Sequence, residues 1–238
     1  MSSTSRGGKR SPADFYETRA WTLNRLLERL PLPGGLWLEP GAGHGAIIKA
    51  VNSRRNDVEW YAIEKREACR KYLMPLVQPR PPSFAPALQI ADFLKWRWAG
   101  PRFDVSITNP AFSIGMEYIL QTLPLAFHVI HLLRLNFLGT EERNEFFKNN
   151  MPDVYVIPDR VSFAKSISCM RNKRGCKYAK IVSLTARVPK ACPRCGAKLR
   201  ISSTDSIEYA WYHWGEERGR RAGKVEVLDH TPLEERQA

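Results

Sequence analysis

The run Phe103-Asp104-Val105-Ser106-Ile107-Thr108, followed by Asn109-Pro110, narrows what this chain can fold into more than any other stretch. It has the apolar, β-rich pattern of a strand buried in a parallel sheet. Pro110 has no N–H to give to the ladder, so the chain must leave the sheet there. Asn109 and Phe112 therefore stand at the carboxyl end of a strand, where open α/β sheets place their ligands. At that place the Asn109 side-chain oxygen and the Pro110 carbonyl can both accept from one amino group, and Phe112 can stack on the ring that bears it. Taken alone, the stretch is a strand with a proline turn. The upstream sequence is what gives it chemistry.

That upstream sequence reads Leu36-Trp37-Leu38-Glu39, then Pro40-Gly41-Ala42-Gly43-His44-Gly45, then a helix from about Ala46 to Ser53. Strand, glycine loop and helix lets backbone approach a ligand closely and points free N–H groups at it. A second strand, Glu59 to Glu64, ends on an acid that can take both hydroxyls of a ribose. A third, Ala87 to Asp92, also ends on an acid. Before the glycine loop, an amphipathic helix over Pro12–Leu30 carries Trp21, Leu23, Leu26, Leu27 and Leu30 on its apolar face. After Phe112 the pattern predicts a helix from Ile114 to Leu125, a strand from Phe127 to Leu135, a helix from Thr140 to Asn149, and strands at Asp153–Pro158 and Glu208–Trp214. Pro75 to Pro86, rich in proline, reads as a loop. His44 reads as a loop residue, His128 and His131 as satisfied strand histidines, and Cys69 as inert.

The chain has 238 residues, 43% of them hydrophobic, which is enough for one ordinary domain and a small appendage. No apolar run is long enough to span a membrane. Met1 to Arg10 is polar and basic rather than a secretory signal. Of the net charge of +13, a segment from Lys165 to Arg200 carries eleven Lys or Arg and no acid, leaving the rest near neutral. Charge so concentrated suits a polyanion partner. The same segment holds Cys169, Cys176, Cys192 and Cys195. Its second pair, Cys192-Pro193-Arg194-Cys195-Gly196, has the shape of a zinc knuckle, and the first pair is wider than usual. Structural Zn2+ is the expectation; incidental cysteines and redox chemistry are the alternatives, and a disulfide framework does not suit a chain without a secretory signal.

As a set, these motifs resemble the S-adenosylmethionine-dependent DNA methyltransferases that act on exocyclic amino groups, specifically the adenine-N6 type. Asp14-Phe15-Tyr16-Glu17-Thr18 looks like that family's first motif, Glu39-Pro40-Gly41-Ala42-Gly43 like its glycine motif, and Asn109-Pro110-Ala111-Phe112 like its catalytic tetrapeptide. Leu133 to Gly139, Asp153 to Phe163 and Asp205 to Trp214 are similar to phage-borne members. Two departures stand out: Ala111 replaces the commoner second proline, and Arg19 stands where the family often has proline.

The resemblance implies a Rossmann-like class I methyltransferase fold, with a mixed seven-stranded sheet, helices on both faces and a small zinc-binding insert. It implies catalysis by Asn109, Pro110 and Phe112. S-adenosyl-L-methionine would be held by Phe15, Tyr16, Thr18, Glu39, Gly41, Gly43, Glu64, Asp92 and Asn109. The expected divisions are a basic tail (1–10), a catalytic domain (11–164), the basic four-cysteine zinc insert (165–200), the last catalytic strand (201–215) and a charged tail (216–238). Within the insert, Lys173, Arg174, Lys177 and Arg194 are the expected phosphate contacts. DNA is the expected partner, with short or relaxed sequence specificity, in the cytoplasm of a bacterial or phage-infected cell. RNA is the first alternative, and a protein glutamine amide a second. The third is a non-catalytic zinc nucleic-acid-binding protein on a methyltransferase scaffold.

Overall fold

The computed structural model describes residues 17–77, 87–161, 164–171, 175–183, 187–202, 207–215 and 223–237. Within them the chain runs α1 (Ala20–Arg29), β1 (Gly35–Pro40), α2 (Ala46–Asn52), β2 (Val58–Glu64), α3 (Arg70–Leu73), β3 (Leu88–Ile90) and β4 (Phe103–Thr108). It continues through α4 (Gly115–Thr122), β5 (Ala126–Arg134), α5 (Glu141–Asn149) and β6 (Asp153–Val156), then β7 (Ala164–Cys169), β8 (Ala179–Ser183) and β9 (Leu199–Ser202). Last come β10 (Tyr209–Trp214), β11 (Val225–Val227) and α6 (Leu233–Gln237).

Eight strands form the main sheet in the order β11-β6-β10-β5-β4-β1-β2-β3. All pair in parallel except β10, which is antiparallel to both β5 and β6. From β1 the sheet is wound outwards in both directions, so the strand order reverses between β1 and β4. Alternate residues of each strand feed two cores. On one face Trp37, Trp60, Val105, Ile130 and Trp211 pack against Leu23 and Leu26 of α1 and Ile47, Ile48 and Val51 of α2. On the other, Leu38, Tyr61, Val129 and Tyr212 pack against Ile119 of α4 and Phe147 of α5. The helices thus cover both faces. Trp211 Nε1 also donates to the Thr22 carbonyl at 2.8 Å, pinning β10 to α1.

The structure corrects the sequence expectation at the carboxyl terminus. The sheet has eight strands, not seven, because Val225–Val227 adds to β6. The segment after Gly215 is therefore not simply a charged tail. Asp159, only 6% exposed, explains why. Its carboxylate accepts from the Thr231 N–H at 2.7 Å and from Arg236 at 2.8 Å, and His230 joins the same oxygen. A buried acid must find such donors, and here they come from the chain end. Arg25 and Glu235 add an ion pair between α1 and α6.

Between β6 and β10 the chain leaves the sheet to form a separate three-stranded antiparallel sheet, β8-β7-β9. Since β6 runs with the parallel strands, this excursion starts from their carboxyl edge. Among the described residues, no helix is long and apolar enough to cross a membrane.

Candidate active site

The carboxyl ends of β1, β2, β3 and β4 converge on one cavity of about 380 Å³, within the usual range for small-molecule sites. Its walls include Thr18, Glu39, Gly41, Gly43, Glu64, Asp92, Asn109 and Pro110. These eight come from stretches as far apart as residues 18 and 110. Phe15 and Tyr16 lie outside the described residues.

Local chemistry explains how the loop after β1 holds its shape. Gly41, Gly43 and Gly45 all have left-handed backbone, with φ of 72°, 57° and 74°. At Gly41 a Cβ would also stand 3.2 Å from the Tyr118 hydroxyl, so a side chain there would meet the cavity wall as well as backbone strain. The Gly41 and Ala42 N–H groups both donate to the Ile63 carbonyl, at 2.7 and 3.0 Å, tying the loop to the end of β2. Thr108 Oγ1 donates to the Pro40 carbonyl at 2.6 Å and ties the end of β4 to the end of β1. Asn109 is thereby placed beside the glycine loop, and its Nδ2 donates to Thr18 Oγ1 at 3.1 Å.

Three acids face this cavity in different electrical settings. Glu39 is 3% exposed, and its Oε2 has no hydrogen-bond partner among the described residues. Burial pushes its pKa well above the ordinary carboxylic value, opposed only by a backbone N–H from Ile48. Glu64 is as deeply buried but fully engaged. Gly43 N donates to Oε2 at 2.8 Å, Arg66 N to Oε1 at 2.9 Å, and the Arg66 guanidinium to both oxygens at 2.7 and 3.2 Å. Burial opposes its ionisation, yet Arg66 and the backbone donors outweigh it and hold the pKa below the ordinary value. Asp92 accepts from Lys65 Nζ at 2.7 Å and from the Leu94 N–H at 3.2 Å, and Lys65 lowers its pKa.

The cavity has members that the sequence did not reveal. Tyr118, from α4, lines it as a phenol whose pKa burial pushes up to about 12, helped by the charges of Glu64 and Asp92. It is a neutral donor at ordinary pH. Arg66, Lys65 and His44 also line it, and His44 packs tilted against Tyr72 with ring centroids 4.2 Å apart. No spacing rule flags Tyr118, because it reaches the cavity only once α4 packs beneath the loop.

Phe112 takes a different position from its neighbours in the tetrapeptide. It is half-buried beside the cavity wall, its ring 5.5 Å from that of Tyr209 and 4.8 Å from the guanidinium carbon of Arg134. His131 and Cys69 are both buried, but His131 is only half satisfied, because its Nδ1 has no hydrogen-bond partner among the described residues. His131 is buried with Nε2 3.0 Å from Thr122 Oγ1, and Cys69 is buried in the core.

In the small sheet, the sulfurs of Cys169, Cys176, Cys192 and Cys195 lie within 4.8 Å of one another, with Cys169–Cys195 at 3.5 Å and Cys176–Cys192 at 3.7 Å. A tetrahedron of zinc–sulfur bonds has edges of about 3.8 Å. Backbone N–H groups of Arg171, Tyr178 and Arg194 point at Cys169, Cys176 and Cys192. The Gly196 N–H closes the knuckle on the Cys192 carbonyl at 2.8 Å, with Gly196 at φ 70°. The donor set is thus compact and converging. Lys177 and Arg194 are exposed around it; Lys173 and Arg174 lie outside the described residues.

No protein-family model matches the chain, and no curated protein sequence matches it. Solved structures are similar to it in shape. The plantazolicin methyltransferase BpumL, in complex with SAH, covers 58% of this chain and is itself covered over 66% of its length, at 12% identity and a TM-score of 0.41. Precorrin-6y C5,15-methyltransferase from Geobacter metallireducens GS-15 matches over 87% of this chain and 94% of its own, at 17% identity and a TM-score of 0.46. The 23S rRNA methyltransferase ErmE matches over 89% and 71%, at 15% identity and a TM-score of 0.44. What identifies the architecture is the strand order itself: a parallel sheet wound outwards from β1, with reversed β10 inserted between β5 and β6. That is the Rossmann-like methyltransferase fold.

Proposed function

We propose that this protein is a DNA adenine-N6 methyltransferase. The observation that carries the reading is that Asn109-Pro110 opens into the same cavity as the Glu39–Gly43 loop, Glu64 and Asp92. An amino-group reader and a nucleoside-type cradle share one space.

The cradle suits S-adenosylmethionine, which when bound supplies a methyl group on a sulfonium sulfur. Thr18 and Glu39 would meet its methionine end; the uncompensated Glu39 Oε2 is suited to an ammonium group. Glu64 would take the ribose hydroxyls after yielding some of its bonds to Arg66, whose side chain is 37% exposed and can swing outward. Asp92 would take the adenine amino group of the cofactor.

The lone pair of an adenine N6 is delocalised into the ring, so that nitrogen is a poor nucleophile. Asn109 Oδ1 and the Pro110 carbonyl, accepting its two N–H bonds, favour a more tetrahedral nitrogen and aim its lone pair. As the amine becomes positive these bonds strengthen, so they favour the transition state over the ground state. The charged product then loses a proton to water, and no general base precedes transfer. A base inside a duplex must first flip out, at a cost of a few kcal/mol. Stacking on Phe112 would return about 1–3 kcal/mol of it.

The four cysteines would hold a structural zinc ion, and the insert around it would clamp the phosphate backbone through Lys177, Arg194, Lys173 and Arg174. Such contacts position without specifying, in keeping with short or relaxed specificity. A test is methyl transfer from labelled S-adenosylmethionine to unmethylated DNA and to RNA, with digestion to nucleosides. N6-methyladenine in DNA, abolished by Asn109→Ala, is the expected result. Label in RNA alone, or none in either, would sink the reading.

A further inference from the structure

Arg134 ends β5 directly opposite Tyr209, the first residue of β10. In an antiparallel pair such residues share a face, and here both meet Phe112, with Arg134 stacked on its ring. Three elements thus build one stack beside the catalytic tetrapeptide, at the edge where a target nucleotide would enter.

The electrostatics of that stack are unusual for this protein. Six arginines are half-buried among the described residues: Arg25, Arg55, Arg66, Arg134, Arg143 and Arg236. Four of them sit on carboxylates, and Arg143 donates to Thr140 Oγ1 at 2.8 Å. Arg134 has no ion pair or side-chain hydrogen bond among the described residues, and its Nε is completely shielded. A partly desolvated cation without a counter-charge is costly to keep. Its fork geometry matches the paired oxygens of a carboxylate or a phosphate, and of these a nucleic-acid backbone presents the phosphate.

We infer that Arg134 is a positioning residue for the target nucleotide: its guanidinium, pre-oriented on Phe112, takes a backbone phosphate beside the flipped base. This rests on the nucleic-acid substrate proposed above. The phosphate would supply the charge that the fold withholds, and would fix how far the base enters towards Asn109. It would act apart from the insert, on the nucleotide being modified rather than on flanking backbone.

The test is fluorescence anisotropy of short double-stranded DNA and RNA oligonucleotides over a salt series, with the wild type, Arg134→Met and Arg134→Lys. Losing one phosphate contact should make the slope of log K against log salt shallower by about 0.9. Arg134→Met should show that change and at least a tenfold loss of affinity, with SAH affinity by calorimetry unchanged and no fall in melting temperature. Arg134→Lys should restore the slope but not the full rate of methyl transfer. An unchanged slope in Arg134→Met, whatever the affinity, overturns the inference and points to a base contact or a structural role. So does a parallel loss of SAH affinity. A wild type that binds neither oligonucleotide removes the functional reading and this inference together, whereas a wild type that methylates DNA beside an unshifted variant removes this inference alone.

Discussion

Asn109 Nδ2 donates to Thr18 Oγ1 at 3.1 Å, joining residues 91 positions apart in the wall of one cavity. The bond settles the rotation of the Asn109 amide, and so the direction of its oxygen. Thr18 in turn is 8% exposed and leads into α1, whose Trp21, Leu23 and Leu26 are anchored in the core. The orientation of the Asn109 amide is therefore inherited from a helix on the far side of the sequence.

Thr18→Val should keep the volume and lose the bond. A hydrogen bond of this kind contributes about 1 kcal/mol, so turnover should fall about fivefold. Initial rates of methyl transfer at saturating cofactor would check it. An unchanged rate would mean that Asn109 is oriented by other contacts.

Burial raises the pKa of Glu39 above its unfolded value. The folded chain then binds more protons than the unfolded one, so stability is complete below the ordinary carboxylic pKa and falls as pH rises towards the raised one. Glu39→Gln should accordingly melt a few degrees above the wild type at neutral pH, with the gap closing on acidification. Calorimetry should show the same variant binding S-adenosylmethionine less tightly.

Two histidines set an acid limit of the opposite sign. Burial lowers the pKa of His131 to about 3, and burial with the neighbouring His128 lowers that of His213 to about 4. Unfolding below the ordinary value of 6.5 therefore takes up about two protons, and stability present above that pH is lost as pH falls. The slope should approach about 2.7 kcal/mol per pH unit. Urea melts between pH 7 and pH 5 would measure it, and His213→Phe should halve it.

The cysteine cluster should carry about one zinc ion per chain by elemental analysis. A chelator strong enough to remove the metal should weaken DNA binding while leaving the main melting transition and SAH binding in place. Cys192→Ser should behave likewise. Loss of SAH binding on chelation would mean that the small sheet and the main sheet do not fold independently.

Much of this site was legible in one dimension because its parts are local. A glycine run after a strand, an acid at a strand end and Asn-Pro at a strand end each carry their conformation in their own residues, since backbone freedom and the missing proline N–H act over a few positions. The convergence of Glu39, Glu64, Asp92 and Asn109 follows from winding a parallel sheet, where carboxyl ends share one edge. Three of the four cysteines met for a similar reason: Cys169 ends β7, and Cys192 and Cys195 bracket one tight turn.

What the sequence could not supply depends on partners chosen in space. Tyr118 enters the cavity only through the packing of α4. Glu64 is occupied by Arg66, two residues away, through a side-chain rotation that no pattern encodes. Phe112 lies between Tyr209 and Arg134 rather than on the cavity wall, because the register of β5 against β10 places those two together. The chain end shows it most clearly. Residues 225–227 look like charged tail, yet Asp159 buries a carboxylate that Thr231, His230 and Arg236 satisfy. By itself the sequence determined the strand ends and the chemistry they carry, because those are local. Tertiary structure decided which charges are neutralised and which are left for a ligand, because a buried charge is compensated through space.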